Sequence, residues 1–195
     1  MTKRLGLRVA IPCALALVAA SSSAQQPAAT QPPAAQQPSG TQQPAPANPL
    51  DVVPEKMPFD IPYGPPIPLE RAATVIAATV AEAKRHDWKL NVAVVDSGGN
   101  LVAFQRMDGA QLGSIQIAEH KARAAATFRR ETKAFENAIQ VNGSNYVMTL
   151  DGVIGSRGGI PLIDGGRLIG AIGCSGATGS QDEVACKAGV AALKP

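Results

Sequence analysis

Few side chains in this sequence can do chemistry alone, so their spacing decides which chemistry is open to them. The histidines are His86 and His120, and the cysteines are Cys13, Cys174 and Cys186. Cys174 as a nucleophile would need a base beside it, and neither histidine is near it in sequence. Cys174 and Cys186 are an even pair that an oxidising compartment permits to bond, a pairing that only geometry decides. Such a bond would close a short loop and add ~3 kcal/mol. No His, Cys, Asp and Glu cluster has the spacing of a zinc site. The Gly-rich stretch 152–159 lacks the Gly-Lys-Ser/Thr ending of a phosphate loop and the spacing of a dinucleotide fingerprint. Its glycines read as turn and close-approach residues. A second stretch, 173–180, leads into a helix start of the kind that attracts anions. Asp182 and Glu183 occupy that first turn, however, and would repel one. Asp96, Asp108 and Glu119 are scattered carboxylates, and the two aspartates flank a predicted hairpin where Asp is a normal turn former. His86 falls at a predicted helix end, where an imidazolium meets the dipole favourably.

These side chains need elements to hold them. Leu69, Ala72, Ala73, Ile76, Val80 and Ala83 recur at helical spacing, which predicts an amphipathic helix over about 68–86. Residues 90–95 and 101–106 are short apolar runs around Ser97-Gly98-Gly99-Asn100, the pattern of a β-hairpin. Residues 114–130 read as helical, with Ile115, Ala118, Ala122 and Ala125 on a narrow face suited to close packing. A short helix over about 132–141 follows on the same periodicity. Residues 160–163 and 168–174 make a second hairpin around Asp164-Gly165-Gly166-Arg167, a tight-turn signal because a type I′ turn needs positive φ at both central positions. Ser180 with Glu183 three residues later predicts a capping box, opening a helix that runs to about Leu193. Tight hairpins make an antiparallel sheet and the helices pack on it, so the fold class is α+β.

The N-terminal third reads differently. Residues 1–24 begin with Lys3, Arg4 and Arg8, continue through an apolar run from Val9 to Ala20, and end in Ser21, Ser22, Ser23 and Ala24. Those are the three parts of a cleavable secretory signal peptide, with cleavage after Ala24. The apolar run is shorter than the ~20 residues of a membrane helix, and it contains Pro12. Cys13 lies inside that run, not after a lipidation box. The expected mature protein starts at Gln25, spans no membrane, and is periplasmic or extracellular.

Three of the chain's 18 Lys and Arg lie in that signal and none of its 15 Asp and Glu do, which leaves 15 against 15. No basic run with interleaved aromatics remains, so nothing recommends nucleic acid as a partner. Residues 25–49 are Gln, Pro, Ala and Thr almost throughout, the composition of a disordered spacer. Residues 50–68 are also proline-dense but carry Val52, Val53, Met57, Phe59, Ile61, Tyr63 and Ile67. Apolar residues among prolines predict an extended arm laid against its own domain or a neighbouring subunit. Residues 69–195 are one ordinary domain.

Within that domain a resemblance becomes specific. Val92-Ala93-Val94-Val95-Asp96-x-Gly98-Gly99-x-Leu101, followed by Arg106-Met107-Asp108, resembles the first hairpin of the GlcG/HbpS-like haem-binding family. Lys121-Ala122-Arg123-x-Ala125-Ala126 and Arg129-Arg130-x-Thr132-Lys133 resemble its central helix and the turn after it. Gly158-Gly159-Ile160-Pro161-Leu162, Ile169-Gly170-Ala171-Ile172-Gly173-x-Ser175-Gly176 and Thr178-Gly179-x-Gln181-Asp182 match its last hairpin and helix start. The resemblance implies a profilin-like α/β sandwich and homo-oligomers, from dimers to octamers. The Glu-x-x-Glu pair linked to iron in some members has no counterpart here.

Two functions follow from the resemblance. One is a non-catalytic haem binder that stores, buffers or senses haem outside the cytoplasm. The alternative is a module or enzyme acting on small hydroxy acids such as glycolate. An enzyme of that kind would need converging titratable groups, which the scattered carboxylates do not supply. Axial ligation of haem favours His, Cys, Met or Tyr, and His120 is the only histidine within the central family motif. Gln116, His120, Arg123 and Thr127 share one polar helix face. His120 is therefore the expected donor to haem iron, with Arg123 one turn away to pair with a propionate. Lys121 and Arg129, on neighbouring stripes, are expected to do the same.

Overall fold

The computed structural model describes residues 53–193. The expected signal peptide, the spacer and residues 50–52 of the expected arm lie outside the described residues. The element order is α1 (Leu69–Arg85), β1 (Asn91–Asp96), β2 (Leu101–Arg106), α2 (Ser114–Thr127), α3 (Lys133–Gln140), a 3-10 turn (Asn145–Thr149), β3 (Gly159–Asp164), β4 (Arg167–Ser175) and α4 (Gly179–Ala191). The strands form one sheet in the order β2-β1-β4-β3. All three pairings are antiparallel, so the α+β class holds.

Both faces of the sheet are covered, and the strand alternation decides by what. Val92 and Val94 join α1 and α4 residues, among them Val75, Ile76, Val80 and Ala185, in the larger core. Ala93, Val95 and Ala171 face the other way and meet Ala118, Ala122, Ala125 and Ala126 of α2. The alanines predicted to give α2 a close-packing face do so. A Cβ placed on Gly173 of β4 would fall 2.1 Å from the Ala118 carbonyl oxygen, so only glycine admits α2 at this distance.

The second hairpin turns at Gly165 and Gly166, with φ of 51° and 75°. Asp164 still pairs with Arg167 as the end of the ladder. Three details depart from expectation. On α1 the buried face is Ala72, Val75, Ile76, Thr79, Val80, Glu82 and Ala83, while Leu69 and Ala73 are exposed. The stripe runs through Val75 and Thr79 because those positions look into the sheet and α4. The central helix stops at Thr127 instead of 130, since Arg129 takes a left-handed φ of 53°. The capping box of α4 is Thr178 with Gln181, not Ser180 with Glu183: Gln181 Oε1 accepts from the Thr178 amide at 3.0 Å.

The proline-rich segment before α1 lies against its own domain. The Leu168 amide donates to Pro62 O at 2.9 Å, and the Leu168 carbonyl accepts from the Gly64 amide at 2.7 Å. Ile67 is buried in the main core. Arg129 donates to Ile61 O at 3.1 Å, and the Arg130 guanidinium sits 3.1 Å from the centre of the Phe59 ring. This hydrogen bond and this cation–ring contact offset the strained turn after α2, which costs about 1 kcal/mol or more for a non-glycine residue.

Candidate haem site on the outer face of the central helix

With Ala118, Ala122 and Ala125 against the sheet, the residues that alternate with them look outward. His120 is half-buried there, and Gln116 and Arg123 are exposed. Gln116, Glu119, His120 and Arg123, with Gly152 from the loop before β3, line an open depression of about 430 Å³. His120 and Arg123 thus share one cavity, one helical turn apart. Arg123 is anchored as well as exposed: its Nε donates to Gly99 O at 3.3 Å. Gly99 has φ of 83°, and a Cβ there would come within 3.2 Å of Arg123 Cγ. The glycine turn of the first hairpin therefore cradles the base of this arginine.

Lys121 is not part of that surface. Its side chain is 1% exposed and points inward, where Nζ donates to Asp182 Oδ2 at 2.8 Å and to Cys174 O at 3.1 Å. The position sits one residue round the helix from His120, which turns it from solvent into the body of the protein. Lys121 is unavailable to a propionate, and that expectation is corrected. Burial pushes the Asp182 carboxyl above the usual range, and Lys121 pulls it the other way. Arg129 is likewise committed, to Ile61 and to the face of Tyr63.

The other singled-out residues have structural work. Asp96 Oδ1 accepts from the Gly98 and Asn100 amides at 2.8 and 2.9 Å, the turn duty expected of it. Burial works to raise the Asp96 carboxyl, but the bonds from Asn100 and Gly98 outweigh it and hold it below the usual range. Cys174 and Cys186, both fully buried, are joined as a disulfide linking β4 to α4. His86 stacks on Trp88 at the end of α1 and lies 3.1 Å from Glu82. Gly158 and Gly159 make room for close approach: a Cβ on Gly158 would lie 3.2 Å from Lys121 Nζ, and one on Gly159 2.3 Å from Lys121 O.

Glu183 is drawn from the capping role into an ion cluster with Lys133, Lys187 and Arg157. Arg157 also holds Glu136 at 2.6 Å. Among the described residues no three His, Cys, Asp or Glu side chains converge as a metal ion requires. No helix of those residues is long and apolar enough to cross a membrane.

Residues 67–191 match the protein family described as "Haem degrading protein HbpS-like". The chain belongs to that family. The match takes in all five residues that line the α2 depression. Among relatives of this HbpS-like chain, GlcG of Escherichia coli K12 is 40% identical over 106 residues, which is 54% of this chain and 78% of GlcG. A double mutant of HbpS from Streptomyces reticuli is 28% identical and superposes with a TM-score of 0.63, covering 78% of this chain and 100% of that one. A PduOC:heme complex is 25% identical with a TM-score of 0.59, covering 65% of this chain and 94% of that one.

Proposed function

We propose that this HbpS-like chain binds haem on the outer face of α2, with His120 as donor to the iron and Arg123 as partner of a propionate. The observation that carries the reading is their shared cavity, which holds an imidazole and an anchored guanidinium one helical turn apart. The donor set fits the group. An imidazole is among the usual axial ligands, and a planar guanidinium matches a carboxylate with two parallel bonds. Glu119 on the same rim disfavours a propionate beside it, which leaves Arg123 as the propionate end. The family description names haem, and a structural neighbour is a heme complex. Haem in this reading is cargo, held for storage, buffering or sensing.

The depression is open, so it covers one side of a flat tetrapyrrole. A second copy of the chain would cover the other side. Leu112 just before α2, Ile117 on α2, and Tyr146 and Met148 on the 3-10 turn are exposed apolar residues available for such a contact. The reading therefore includes a homo-oligomer, exported by the N-terminal signal and starting at Gln25. Haemin titration of the mature protein tests the binding. A Soret shift saturating at a fixed ratio per subunit is expected, and a shift that never saturates overturns it. Intact mass of exported protein tests the start at Gln25, and light scattering at micromolar concentration tests the oligomer.

A further inference from the structure

A second cavity lies away from α2, and its lining has a composition of its own. It encloses about 310 Å³ between the last turn of α1, the loop after it and the end of β2. Lys84, Lys89 and Arg106 bring three cations to its rim, and Asp108 brings one carboxylate. Val80 and Met107, both nearly buried, supply apolar wall. None of these residues lines the α2 depression.

The rim is shaped by backbone, not merely crowded with charge. The Met107 amide donates to Leu90 O at 3.0 Å, and the Ala110 amide donates to Met107 O at 3.1 Å. Gly109 takes φ of 78°, which closes the turn that presents Asp108. The stem of Lys89 runs along this turn, with Cγ 3.7 Å from where a Gly109 Cβ would stand. Met107 and Lys89 therefore meet at one short turn as lining residues of the same cleft.

The charges are unequally satisfied. Lys89 is paired with Asp87. Glu82 on the same helix is taken by Arg85 and His86. Among the described residues Lys84 and Arg106 make no ion pair. Three cations set against Asp87 and Asp108 leave one positive charge uncompensated over an apolar wall.

We propose that this cleft is a binding site for an organic monocarboxylate with a short hydrocarbon chain. Arg106 and Lys84 take the carboxylate by charge-assisted hydrogen bonds, and the chain lies on Val80 and Met107, where its burial removes apolar surface from water. Asp108 gives the site its selectivity, because it repels a second carboxylate on the same ligand. The cavity volume lies within the range of small-molecule sites, roughly 300–1,000 Å³.

Hexanoate and adipate are the probes, equal in chain length and differing by one carboxylate. Titrations of the mature protein are followed by the methyl NMR signals of Val80 and Met107. Hexanoate is expected to shift both to saturation, and adipate to bind more weakly. Arg106→Gln or Lys84→Gln should weaken hexanoate about tenfold each, the loss of one charge-assisted bond. Asp108→Asn should close the gap between the two probes. His120→Ala should leave hexanoate affinity unchanged, which separates this site from the one on α2. All the altered rim residues are exposed, so the variants keep the fold. Methyl signals that do not saturate with hexanoate would overturn the site, as would equal affinity in the Lys84→Gln/Arg106→Gln double variant. A gap that persists in Asp108→Asn would overturn the selectivity.

Discussion

Lys121 Nζ stands 2.8 Å from Asp182 Oδ2, and the two side chains are 1% and 2% exposed. The pair ties α2 to α4, and the bond from Lys121 to Cys174 O adds β4 to the same knot. Asp182 Oδ1 is also satisfied, by the Ala177 amide at 3.1 Å. Nearly every polar atom of the pair therefore has a partner, which is the condition for burying two charges at tolerable cost.

Removing one partner should be severe. Lys121→Ala leaves an unpaired buried carboxylate and should cost about 3–5 kcal/mol. Replacing both, as Lys121→Met with Asp182→Leu, should recover most of that loss. Urea denaturation of Lys121→Ala and of the double variant measures it. A Lys121→Ala protein as stable as the parent would contradict the buried pair.

The arm gives a second prediction. Arg130 faces the rings of Phe59, Phe128 and Phe135 at 3.1, 5.9 and 5.3 Å, so Phe59 completes an aromatic surround. Val53, Lys56 and Met57, ahead of it, are exposed. Trypsin is expected to cut first at Lys56 and to leave Phe59–Ile67 attached to the domain. Arg130→Ala should loosen the segment by about 1 kcal/mol and let chymotrypsin in at Phe59. Equal chymotryptic cutting at Phe59 in parent and variant would contradict the docking.

A third prediction concerns acid. Burial works to raise the Glu136 carboxyl, but the side-chain and backbone bonds from Arg157 outweigh it and hold it below the usual range. A depressed folded value means the group stabilises the fold above its unfolded pKa and loses that contribution as pH falls through the folded one. Glu136→Gln should therefore be less stable than the parent at neutral pH. The difference should shrink towards zero once both states are protonated, well below the ordinary Glu value of about 4.3. Denaturation midpoints across acid pH check it, and a gap that stays constant would contradict the assignment.

The sequence was most legible where local chemistry acts alone. The Gly165-Gly166 turn, the first hairpin around Gly98-Gly99 and the alanine face of α2 each follow from a period or a turn requirement, and each stands where expected. It was least legible where tertiary partners choose between neighbours. Lys121 and His120 are adjacent and both cationic-capable, yet one turns into the protein and the other outward. What decides is Asp182, 61 residues later, a pairing that no local pattern announces. A lysine on the flank of an all-alanine face was the available signal, because a face that narrow leaves its flanks half inside. Glu183 shows the same effect: it fits a capping box by spacing, but Lys133, Lys187 and Arg157 hold it elsewhere. The cleft around Lys84 and Arg106 was invisible for a plainer reason, since its walls come from α1 and β2 and meet only in the fold.

The most direct test of the haem reading compares His120→Ala with His86→Ala. His86 is the fair control, being the other histidine and stacked on Trp88 outside the α2 depression. Haemin affinity and Soret position are read for the parent and both variants, with light scattering to check that the assembly is unchanged. The account predicts that His86→Ala matches the parent, while His120→Ala shifts the Soret band and weakens binding at least tenfold, or about 1.4 kcal/mol. Parent-like spectrum and affinity in His120→Ala would contradict it.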